Sequence, residues 1–122
     1  MKIPDMDITL EELLDQMPIG VTYVDKDGFL RYQNRVAASR PSRVKREVGV
    51  NIKDCHGRPE SLEAIERIFD DFRQGRKEPH FYMSPTTGNK VVMVPVFDAD
   101  EYFAGILSYG HSVGLPPTNR TF

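Results

Sequence analysis

The stretch "PESLEAIERIFDDFRQG", residues 59–75, constrains this chain more than any other. Leu62, Ile65, Phe69 and Phe72, with Ile68 alongside, recur at the spacing that places them on one face of a helix. Pro59 suits the first turn, where a missing N–H costs nothing, and Gly75 suits the position just past the end. Glu63 and Arg67 are spaced to pair at i,i+4 on the opposite face. A helix with so one-sided an apolar stripe has to lay it on something, and the flanking sequence supplies strands.

Upstream, "GVTYVDKDGFLRYQN" reads as a hairpin, with two β-rich runs around Asp-Lys-Asp-Gly and Gly28 supplying the positive φ of the turn. Asn34 then opens "NRVAAS", a short helical turn. Downstream come "PHFYMS", then "NKVVMVPVFD" across the turn "PTTG", then "AGILSYG" across "DADEYF". Strands on both sides of a helical middle imply an α+β fold: a five-stranded antiparallel sheet with helices on one face. Pro95 cannot donate to a ladder, which points to an edge or a bulge. Val92, Val94 and Val96 fall on one face of their strand, and Val91, Met93 and Phe97 on the other. A sheet with one wet face does not carry apolar residues on both, so something covers the second.

The N-terminal run "ITLEELLDQMP" offers a candidate cover. Thr9 and Glu12 have the spacing of a capping box, Leu10, Leu13, Leu14 and Met17 form one stripe, and Pro18 ends the helix. Isolated helices below about 12–15 residues are marginal in water, so this stripe packs either on the chain's own sheet or on a partner subunit. A homodimer using Leu10, Leu13, Leu14 and Met17 with the doubly apolar sheet is the expectation.

The chain's 122 residues suffice for a single core, here about residues 9–110, with 111–122 expected as a loose tail. A net charge of -2 provides no field for nucleic acid or an anionic membrane, and the basic connector Arg40–Arg46 carries no base-reading motif. One cysteine excludes an internal disulfide and fits a reducing compartment. With no membrane-length apolar run and no signal-peptide pattern, the expected location is cytoplasmic.

"NIKDCHGRPESL" sets Cys55 beside His56 just ahead of the long helix. As a nucleophile pair they fail a geometric test: neighbours in an extended loop point apart, and no third group orients the base. An enzyme is not expected. Cys55 is either an inert buried thiol or a redox-sensitive one lowered in pKa near a helix start. His80 and His111, at strand ends, read as surface residues, and no HxxxH or CxxC spacing supports zinc.

The element order and "VDKDGFLRYQNRVAAS" together resemble a PAS domain, over roughly residues 9–110. The hairpin, Tyr32, Asn34 and the small-residue helix are similar to the PAS opening, and "VPVFDADEYFAGILSYG" resembles its closing hairpin. "DCHGRPESLEAIERIFDDFRQGR" is similar to PAS modules with Asp-Cys-His before the long helix. The last strand lacks the usual Asp-Ile-Thr ending, and Tyr102-Phe103 replaces the usual Gly of the acidic turn. Output is therefore expected through a separate signalling partner.

The resemblance implies a sensor with a pocket between long helix and sheet. Cys55 departs from the flavin-adduct motif, so haem is the leading specific cofactor. His56 is then the axial iron ligand, Met83 or Met93 the sixth, and Arg58, with Arg43, Lys45 and Arg46, the propionate partners. Against this stand the commoner roles of such residues, a hydrogen-bonded loop histidine and core-filling methionines. Without haem, Tyr23, Tyr32, Ile65, Phe69, Phe72 and the strand valines line a vacant or small-molecule pocket. The alternative function is a ligand-free dimerisation or protein-interaction module.

Overall fold

The computed structural model describes residues 1–39, 47–55, 59–83 and 89–112, the side chains of 55, 59, 61, 89, 111 and 112 excepted. The elements are α1 (Leu10–Leu14), β1 (Gly20–Asp25), β2 (Leu30–Gln33), α2 (Arg35–Ala38), a 3-10 turn (Ile52–Cys55), α3 (Pro59–Arg73), β3 (His80–Met83), β4 (Asn89–Phe97) and β5 (Phe103–Ser112). The five strands form one sheet in the order β2-β1-β5-β4-β3, with every pairing antiparallel. This is the α+β architecture the sequence implies. β5 joins the two hairpin systems and runs to Ser112, past the core boundary expected near residue 110.

The predicted face of α3 lands on the sheet. Phe69 and Phe72 are fully buried and share a core with Val24, Leu30 and Ile106, against which Val50, Ile52, Ile65, Ile68, Met93 and Phe103 pack. Each such side chain contributes roughly 1.5–3 kcal/mol on burial. The Glu63–Arg67 pair does not form; Glu66 reaches Lys53 instead, at 3.0 Å, and ties α3 to the 3-10 turn.

Register fixes which residues share a face. Val24, Ile106, Ser108 and Met93 point toward α3. Val21, Tyr109 and Val92 pair across the outer face, as do Tyr32, Tyr23, Leu107 and Val94. Val21 and Val92 are nonetheless buried, so the doubly apolar β4 has a covered outer face at that end. The end of α1 lies beside β1 and β2, since Asn34 donates to the Leu14 carbonyl and Glu11 and Asp15 act electrostatically on Tyr32. Farther along, Leu107, Phe81 and Met83 stay exposed.

Pro95 sits in an inner strand, yet β3 reaches only from Lys90 to Met93, so β4 has one neighbour at Pro95; an irregularity follows between Val96 and Phe97. The capping box at α1 forms as predicted, but the helix stops at Leu14 and buries no residue fully. Leu13 is 46% exposed, while Leu10, Leu14 and Met17 are half-buried, so the expected stripe splits between the domain and solvent.

The two acidic turns are built alike. Asp25 Oδ1 accepts from the amides of Asp27 and Phe29, and Asp98 Oδ1 from those of Asp100 and Tyr102. Gly28 has positive φ in the first turn and Glu101 in the second. The residue standing where the usual glycine belongs is therefore Glu101, which corrects the expectation of Tyr102-Phe103.

The cavity between α3 and the sheet

A cavity of about 50 Å³ lies beneath α3, lined by Val24, Ile52, Ile65, Ile68, Phe69, Met93, Ile106 and Ser108. Seven of these eight are apolar; Ser108 alone offers a hydrogen-bonding group. α3 supplies Ile65, Ile68 and Phe69 through its three- and four-residue spacing. The alternation of β5 turns Ile106 and Ser108 inward, and the 3-10 turn brings Ile52 over the side. Lys53, next to Ile52, pairs with Glu66 and lies 5.7 Å from the centre of the Phe69 ring, with Arg73 at 5.4 Å from the same ring. Two cations thus hold the outer edge of the aromatic wall.

Of the expected pocket residues, the structure brings Ile65, Phe69 and Met93 together. Phe72 is core beside the cavity, packed on Phe103 and His80 at centroid distances of 6.2 and 5.3 Å. Met83 pairs with Lys90, on the face away from Met93, and is 56% exposed, so the two methionines cannot serve one site. Tyr32 and Tyr23 also face outward. The β1–β2 irregularity between Tyr23 and Val24 pairs Leu30 inward with Val24 and turns Tyr32 to the other side. His56, Arg58, Arg43, Lys45 and Arg46 lie outside the described residues, as do the "PTTG" turn and the Cys55 side chain.

Pockets for drug-sized molecules span roughly 300–1,000 Å³, far more than the described cavity, and of the two expected methionine ligands only Met93 borders it. Among the described residues no group of histidine, cysteine and carboxylate side chains could hold a metal ion.

His80, expected at the surface, is half-buried: its ring stacks edge-on against Phe72 and Nε2 stands 3.0 Å from Asp71 Oδ2. It binds the end of α3 to β3. Among the described residues the wholly buried polar side chain is Asn34. Its Oδ1 accepts from the amides of Val21 and Ala37, at 2.9 and 3.0 Å, and its Nδ2 donates to the carbonyls of Leu14 and Ile19, both at 3.0 Å. Beside it, the Arg35 amide donates to Asp15 Oδ1 at 2.7 Å. One carboxamide therefore holds α1, β1 and α2 together, while the Tyr32 hydroxyl nearby is buried without a hydrogen-bond partner. Burial, with Asp15 and Glu11 adding to it, pushes the Tyr32 phenol above its ordinary pKa.

Sequence reasoning placed Asn34 at a helix start but not as a hub. It also missed Ser108, although strict alternation in "AGILSYG" puts that residue on the face of Ile106.

This architecture has known relatives. A family model described as a PAS domain matches residues 10–109, and the chain belongs to that family. No curated protein matches it. Among solved structures it is similar to the C-terminal domain of a Streptococcus mutans protein, with 27% identity, TM-score 0.66 and 92% of each chain covered. It is also similar to a sensory box sensor histidine kinase from Vibrio cholerae, with 21% identity, TM-score 0.63, and 85% of this chain and 88% of that one covered. The Vibrio cholerae Aer2 receptor, a dual PAS-heme oxygen sensor, superposes at TM-score 0.52 with 14% identity, covering 82% of this chain and 98% of that one. Among the described residues no helix is long and apolar enough to cross a membrane.

Proposed function

We propose that this PAS domain is a sensory module that binds a small ligand in the α3–sheet cavity and pairs with a second copy to pass the signal to a separate protein. It acts by binding and not by catalysis. The carrying observation is the apolar hollow bounded by α3, the 3-10 turn and β5, with a single hydroxyl on its wall. Haem is the less favoured occupant, because the described cavity is too small for it. The likeness to a haem-binding receptor is one of fold. An absorption spectrum of freshly purified protein, before and after adding hemin, decides this point: no Soret band is expected, and a stoichiometric band lost in His56→Ala would restore haem.

Pairing is supported by the exposed apolar side chains Leu13, Leu107, Phe81 and Met83. Leu13 projects from α1, and the other three lie on the outer sheet face. Leu107→Asp, on that face and away from the cavity, is expected to turn a dimer into a monomer in sedimentation velocity. A wild-type monomer at 10 µM, a concentration of the order at which transient pairs still associate, would remove the pairing proposal.

A second reading, a pairing module with no ligand, is favoured by the cavity's small volume. It is separated from the first by whether any small molecule perturbs the cavity residues.

A further inference from the structure

We infer that the ligand class of this cavity is a neutral molecule of two or three heavy atoms, largely apolar, with at most one hydrogen-bonding group directed at Ser108. This inference rests on the reading of the cavity as the sensing site and specifies what that site admits.

Size is the first argument. An apolar cavity of roughly 150 Å³ admits benzene, whereas about 10–15 Å³ of water-accessible space holds a single water. The space here is about 50 Å³ and open on one side, where Ile52, Ile65, Ile68, Met93 and Ser108 are only half-buried, so what its walls enclose is two or three heavy atoms. Charge is the second. Val24, Ile52, Ile65, Ile68, Phe69, Met93 and Ile106 offer an ion nothing in exchange for its hydration. The two cations on the Phe69 edge are already engaged, Arg73 by Asp70 and Lys53 by Glu66.

The third argument is the hydroxyl. Ser108 sits between Thr22 and Met93 on the inner face of β5, and its side chain has no hydrogen-bond partner among the described residues. A ligand carrying one donor or acceptor would gain that bond, while a wholly apolar one would not.

The ceiling on binding per heavy atom places the dissociation constant of so small a ligand in the millimolar range or weaker. A site of this kind responds to an abundant small solute or a dissolved gas, not to a scarce cofactor.

The test is methyl-labelled full chain observed by NMR during titration with xenon, ethanol, acetate and octanoate. Xenon and ethanol are expected to shift the methyls of Ile52, Ile65, Ile68 and Ile106, saturating in the millimolar range, with acetate and octanoate leaving them unmoved. Ser108→Ala should weaken ethanol at least threefold and leave xenon unchanged, and its unshifted remaining spectrum reports that the fold is intact. Equal shifts with acetate, or an ethanol affinity indifferent to Ser108→Ala, would overturn the assignment. Micromolar octanoate binding at the same methyls would sink the size limit while leaving the cavity as the sensing site. Silence toward all four probes would remove both.

Discussion

Glu101 holds in the Asp98–Tyr102 turn the backbone position that Gly28 holds in the Asp25–Phe29 turn, with φ of 66° and 95°. Each follows an aspartate whose Oδ1 gathers two amides, and Glu101 donates its own amide to the Asp98 carbonyl. A side chain at such φ costs about 1–2 kcal/mol, which glycine avoids, at a smaller loss from its freer unfolded state. Glu101→Gly is therefore expected to stabilise the domain by about 0.5–1 kcal/mol in urea unfolding. A loss of stability would show that the Glu101 side chain has a compensating role.

Asn34 lies at a site where no other side chain supplies two donors and two acceptors in the same space. Asn34→Asp turns the group facing the Leu14 and Ile19 carbonyls from donor to acceptor, and Asn34→Ala removes all four bonds, after which the Leu14 carbonyl keeps the Met17 amide. Buried orphaned groups cost about 1–3 kcal/mol each, partly relieved by relaxation, so either change is expected to cost at least about 3 kcal/mol. Hydrogen exchange should show α1 and α2 losing protection first. A cost below about 1 kcal/mol would refute the hub.

Tyr32 presents the opposite case, a hydroxyl buried with nothing to bond. Tyr32→Phe removes the desolvation cost and keeps the ring, so a gain of about 1 kcal/mol is expected in thermal or urea unfolding. A loss of similar size would reveal a partner for that hydroxyl in solution.

Asp25 links stability to pH. Burial works against its ionisation, but hydrogen bonds from Phe29, Arg31 and Asp27 outweigh burial and hold the carboxyl below its ordinary range. The folded pKa thus lies under the unfolded one, near 3.9. The ionised group then contributes its full stability above that value, and the contribution falls away as pH drops through the folded pKa. Arg31 is 56% exposed, so the ion pair itself is screened and weak. Asp25→Ala is expected to cost about 1–2 kcal/mol at pH 7, mostly from the lost turn bonds, and clearly less at pH 3. An equal cost at both pH values would contradict this linkage.

The helix, the strands and their order were legible because each repeats a spacing: three and four in 62–72, two in 91–97, and an aspartate-led turn before β2 and β5. Side-chain direction was legible only where the ladder stays regular. Tyr32 was misplaced because one irregularity opposite Tyr23 reverses its face, which no local pattern announces. Met83 looked equivalent to Met93 until pairing set them on opposite sides. The cavity's size was not legible at all, since it is the small remainder after Phe69, Phe72 and Phe103 have packed, and a methyl group more or less takes or frees a large fraction of it.

β5 carries Ile106 and Ser108 on the cavity wall, alternating with Leu107 and Tyr109 on the other side. Anything that pushes the first pair outward must tilt or shift the second, because successive residues of one strand share a rigid backbone. An event inside the domain would thus be felt on the far surface without any relay of intermediate parts, and a guest at Ser108 and a neighbour at Leu107 would each sense the other through a single peptide link.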